Sequence, residues 1–120
     1  MNRSTTTVLA VDVAIVVSFV LFGRETHESP FDIAESTRIA APFMAGLGLA
    51  WLIPTIRSAS LRLIAGLIVG AVTAAVGMVL RSAVFGDGVS GAFPIVATAY
   101  LVGLMSLSRV ALALVAREKA

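Results

Sequence analysis

Residues 61–80 read LRLIAGLIVGAVTAAVGMVL, and their reading decides the fold class. After Arg62 no charge appears up to Leu80. As a helix rising about 1.5 Å per residue the stretch is about 30 Å long, the thickness of a bilayer's hydrocarbon core. It is apolar on every side and lacks the polar face that a water-facing helix carries. Three further stretches are of the same kind. Residues 6–22 carry one acid, Asp12; residues 39–56 have Pro42 and Pro54 near their ends; residues 92–112 carry Arg109 near their close. Short alternating strands are missing, which argues against a β-barrel.

Composition points the same way. Hydrophobic residues make up 58% of the 120 and charged residues 13%, where a soluble domain has about 45–50% and about 25%. So few charges cannot cover a water-facing surface, and so many apolar residues exclude disorder. The expectation is an all-α membrane protein: a single domain over residues 1–120, built as a bundle of four transmembrane helices at about 6–22, 39–56, 61–80 and 92–112. The lipid bilayer is then its first partner, and the plasma membrane, crossed several times, its location. Residues 6–22 read as a retained helix rather than a cleaved signal. Asp12 interrupts the apolar run, and Gly23-Arg24-Glu25-Thr26-His27 stands where a small-residue cleavage site belongs.

Four crossings put both termini on one side. That side holds Arg3, Arg57, Arg62, Arg109, Arg117 and Lys119, six basic residues against Arg24, Arg38 and Arg81 on the other. The positive-inside rule places both termini in the cytoplasm and the loop of residues 24–38 outside. Within that loop Ser29, Pro30 and Asp32 form a helix-start signal, predicting a short interfacial helix over 30–37. Gly86, Gly88 and Gly91 predict a flexible third loop, and Pro54 should kink or end the second helix.

Chemistry is constrained mostly by exclusion. The chain has no cysteine and one histidine, so disulfides, thiolate nucleophiles and the usual metal cages are ruled out. Basic residues are scattered, with no basic face or module for nucleic acid. No catalytic residues, metal site or cofactor are expected, and no enzyme activity.

Asp12 is the most informative residue. An acid at bilayer depth costs about 2.5–3.5 kcal/mol on insertion scales and needs compensation. Arg109 enters from the same side and its long stem reaches inward; Arg62 is the second candidate. The pair reads either as a proton or cation relay or as a buried ion pair locking the first helix to the fourth. The lock is preferred, since an intramembrane acid beside an arginine is more often paired than titrating. On the outer side Arg24, Glu25, His27, Glu28, Asp32 and Arg81 form either an ion or ligand site or a solvated loop with snorkelling arginines; the loop is preferred. Gly66, Gly70, Ala74 and Gly77 make a small-residue stripe, suited to a homodimer face or to packing inside the bundle. Trp51 is expected in the inner interfacial belt. Tyr100 lies too deep for a belt and needs a buried partner, for which Thr73 is the candidate.

Taken in order, Asp12, Gly23-Arg24-x-x-His27, Ala41-Pro42-Phe43 with Gly46, Gly77-Met78-x-Leu80-Arg81, and Phe93 with Val96 resemble an uncharacterised family of small four-helix membrane proteins from actinobacteria and haloarchaea, domain of unknown function 3054. The resemblance covers nearly the whole chain. The family's Gly-Trp-Arg tail is replaced here by Leu107-Ser108-Arg109, which removes an interfacial aromatic. The resemblance implies the four-helix architecture and no activity. Asp12, the two prolines and the glycine stripe favour a small homo-oligomeric transporter or channel. The alternative is a non-catalytic accessory or structural subunit of a larger membrane complex, favoured by the lack of any reaction motif.

Overall fold

The computed structural model describes residues 3–25, 33–84, 86 and 91–119. Five helices follow one another: α1 (Arg3–Glu25), α2 (Ile33–Trp51), α3 (Pro54–Ser58), α4 (Leu63–Ala83) and α5 (Phe93–Lys119). Among the described residues there is no strand. Three helices are long and apolar enough to cross a membrane: Arg3–Phe22 of α1, Leu63–Ala83 of α4 and Phe93–Glu118 of α5.

The second apolar stretch, expected at 39–56, is divided. Its helix begins earlier, at Ile33, and ends at Trp51, three residues before Pro54. Pro54 has no N–H to donate to a continuing helix, and instead occupies the first position of the five-residue α3. Residues 33–38 bring Glu35 and Arg38 into α2. Its apolar part, 39–51, then extends about 20 Å, short of a 30 Å core. The predicted interfacial helix of 30–37 is overtaken in its second half, because 33–37 form the first turns of α2; residues 26–32 lie outside the described residues.

Glycines set how closely the helices pack. A Cβ on Gly66 would meet the Met105 carbonyl oxygen at 2.8 Å, and one on Gly70 would meet the Val102 Cα at 2.6 Å. Both contacts are with the backbone of α5, so these two glycines bring α4 and α5 together. A Cβ on Gly46 of α2 would meet the Thr73 carbonyl oxygen at 2.9 Å, and one on Gly77 would collide with the Phe43 ring. That pair brings α2 and α4 together. The small-residue stripe is thus taken up within one chain, on two of its own helices. Contacts between α4 and α5 and between α2 and α4 are the most extensive, and α1 closes the ring against α2 and α5 with fewer.

Helix α1 has no such glycines along its packed face and uses large and polar side chains. Phe19 stands edge-on to Phe43 at 5.3 Å and meets Tyr100 at 5.4 Å and Phe93 at 6.2 Å, touching α2 and α5 at once. Tyr100 does not pair with Thr73. Its hydroxyl shares a 2.8 Å hydrogen bond with Ser18 Oγ of α1, while Thr73 Oγ1 is buried without a partner. The rotation of α4 that presents its glycines to both neighbours sets the Thr73 backbone against Gly46 of α2.

Candidate functional site

The polar interior of the molecule converges near the end that holds the start of α1, the close of α5 and the α2–α4 connection. Asp12 lies nine residues, about 14 Å, along α1 from Arg3. Arg109 lies nine residues back along α5 from Glu118. The two helices run antiparallel, so the charges meet at matched depth, and both side chains are fully buried. Arg109 Nη1 donates to Asp12 Oδ1 at 2.5 Å and Nη2 donates to Oδ2 at 2.8 Å. This two-pronged geometry is the strongest form of an arginine–carboxylate pair.

The surroundings add partners to both groups. Trp51 Nε1 donates to Asp12 Oδ2 at 3.0 Å. Arg109 Nε donates to the Ser60 carbonyl oxygen at 2.7 Å, and Nη1 also reaches Ser108 Oγ at 3.3 Å. Both carboxylate oxygens therefore accept, and all three guanidinium nitrogens donate. Gly66 makes the arrangement possible from α4: a Cβ there would stand 2.9 Å from Arg109 Cγ, in the path of the stem. Arg57, on α3, donates to the Trp51 carbonyl oxygen at 3.3 Å, satisfying a carbonyl at the end of α2 and holding Trp51 in register.

Trp51 corrects the belt expectation. It is buried, and its indole serves the carboxylate rather than a membrane interface. Its position three residues before Pro54, at the same end of the chain's path as Asp12, was the available signal. Ser60 was missed because its contribution is a backbone carbonyl, which any residue supplies. Arg62 stands at the N-cap of α4 and is exposed, away from Asp12.

Of the outer candidates, Arg81 lies 4.6 Å over the Phe93 ring, a cation–π contact that ties α4 to α5 at the far end. His27, Glu28 and Asp32 lie outside the described residues, and for Arg24 and Glu25 only the helical backbone is described.

A cleft of about 370 Å³ opens at the terminal end between α1 and α5. Val8 in its wall is one helical turn from Asp12, and Leu112 is three residues from Arg109.

The chain belongs to the family described as protein of unknown function DUF3054, whose family model matches residues 9–112. No curated protein and no solved structure matches it. The matched span takes in α2, α3 and α4 entire and begins just before Asp12 and ends just after Arg109.

Proposed function

We propose that this member of the DUF3054 family crosses the plasma membrane four times, with both termini cytoplasmic, and serves as a non-catalytic structural or accessory subunit of a larger membrane complex. The observation that carries this reading is that every nitrogen and oxygen of the buried pair is partnered within the chain. Every charged atom of Asp12 and Arg109 has a partner, and those partners come from α1, α2, α5 and the turn before α4. A pair so arranged holds elements together and leaves no oxygen waiting for a cation. All but one of the features that favoured transport on sequence have a structural use, the exception being Pro42, which lies inside α2. Asp12 is fully bonded, Pro54 starts α3, and the glycines seat α4 against its neighbours. The fourth crossing rests on α2, which packs beside α4 and is continued by Leu52, Ile53 and α3. The positive-inside count supports the orientation.

One observation favours the transporter reading in second place: the cleft is lined by Val8 and Leu112, one helical turn or less along their helices from Asp12 and Arg109. The test separates the two. The chain is purified from its own membranes in mild detergent, its mass is measured, and the preparation is reconstituted into vesicles. Stoichiometric association with other subunits, and no solute or proton flux from the chain alone, is the expected outcome. A self-sufficient homo-oligomer with a flux abolished by Asp12→Asn would overturn it.

A further inference from the structure

The cleft between α1 and α5 has two unlike walls. On α1 it is lined by the exposed Arg3, Ser4 and Thr7 and then by the buried Val8, while Leu112 and the half-exposed Val115 of α5 present only hydrocarbon. From Arg3 to Val8 the lining descends about 7.5 Å along the helix, so polarity changes to hydrocarbon over the depth at which a lipid changes from headgroup to chain. Arg3 is exposed, and among the described residues no carboxylate pairs with it. Thr7 Oγ1 donates to the Arg3 carbonyl oxygen at 2.9 Å. The same end carries Arg57, Arg62, Arg117 and Lys119 against one acid, Glu118, while Arg109 is neutralised by Asp12. The volume is at the lower end of the range for small-molecule sites, enough for part of a lipid and not for a second helix.

We propose that this cleft seats one anionic phospholipid, its phosphate on Arg3 and the hydroxyl of Ser4, its first methylenes against Val8, Leu112 and Val115. Charge selects the headgroup, and the apolar depth excludes a free phosphate as the occupant. The proposal rests on the membrane reading above; with both termini cytoplasmic, the lipid belongs to the inner leaflet, where anionic lipids supply a negative surface.

The test is native mass spectrometry of the full chain released from micelles holding equal amounts of phosphatidylglycerol and phosphatidylcholine. One retained lipid with about a fivefold preference for phosphatidylglycerol is expected, the size of one basic contact at an anionic surface. Arg3→Gln should bring the preference to near one. Val115→Trp, at a half-exposed position that the core does not need, should reduce retention of both lipids. Soluble glycerol phosphate should not compete. Equal retention of the two lipids, or a preference untouched by both variants, overturns the proposal. So does a preference lost in Arg3→Gln with retention unaltered by Val115→Trp, which would make the contact a surface attraction outside the cleft. Carbonate washing of the membranes gives a separate answer: a chain that washes off refutes the membrane reading, and a chain that stays without lipid preference refutes the cleft alone.

Discussion

Removing both charges of the Asp12–Arg109 pair should cost much less than the two single removals added together. In Asp12→Asn the amide offers one oxygen where the carboxylate offered two, and Arg109, keeping only the Ser60 carbonyl and Ser108 Oγ besides, is left as an uncompensated charge. Breaking a buried pair in this way costs about 3–5 kcal/mol. Arg109→Met strands the carboxylate with only Trp51 Nε1 and should cost a similar amount. In the double variant Asp12→Leu, Arg109→Met no charge remains. What is left unpaired is the Trp51 N–H and the Ser60 carbonyl, about 1–3 kcal/mol each. The double variant should therefore lose about 2–6 kcal/mol where the singles sum to about 6–10, a coupling of a few kcal/mol. An average interhelical hydrogen bond in a membrane is worth only about 0.6 kcal/mol, so the two outcomes are well separated. The assay is unfolding from mild detergent into SDS, followed by the fluorescence of Trp51, the single tryptophan and a direct contact of the pair. A coupling below about 1 kcal/mol would refute the lock. The exchanged pair, Asp12→Arg with Arg109→Asp, should not recover stability. Trp51 offers a donor at position 12 and Ser60 an acceptor at position 109, so the surroundings fix which charge belongs where.

Three further outcomes follow from the packing. Gly70→Leu drives a side chain into the α5 backbone at Val102 and should cost about 1–3 kcal/mol or more in the same unfolding assay, whereas Gly48→Ala meets nothing within 4 Å and should raise stability by up to about 1 kcal/mol; equal effects would mean that α4 does not lie against α5 there. Trp51→Phe keeps the ring and removes one donor to a charged acceptor, so a loss of about 1.5–3 kcal/mol, smaller than that of Asp12→Asn, is expected from thermal denaturation in detergent. Ser18→Ala and Tyr100→Phe remove two ends of one hydrogen bond, and the combined variant should be no worse than the poorer single by more than a few tenths of a kcal/mol.

The apolar helices and the Asp12–Arg109 pair were legible because each is forced. Eighteen uncharged residues have few folds open to them, and a deep acid among so few charges has few cations to choose from. What stayed hidden depends on rotation about helix axes. Trp51 sits at the place where a belt residue would sit, and only the phase of α2 turns its indole inward. Tyr100 has hydroxyls on two sides, Ser18 and Thr73, and the glycine contacts of α4 decide between them. The start of α2 was placed six residues late because Glu35 and Arg38 break the hydropathy signal without breaking the helix.

The span between the two halves of the ion pair has a consequence for how the chain is made. Asp12 and Arg109 are 97 residues apart, and ribosomes add about 5–20 residues per second. In a membrane-inserted chain the acid leaves the ribosome in the first helix and waits roughly 5–20 s for its cation to be synthesised. Trp51, only 39 residues on, arrives well before it. The indole is thus the earliest group that can greet the carboxylate, and α1 is the helix whose residence in the membrane is least assured until translation is nearly over. A ribosome stalled between α2 and α5 should leave a nascent chain whose first helix is still exchangeable with the insertion machinery, and release of that helix into lipid should be timed by the emergence of Arg109.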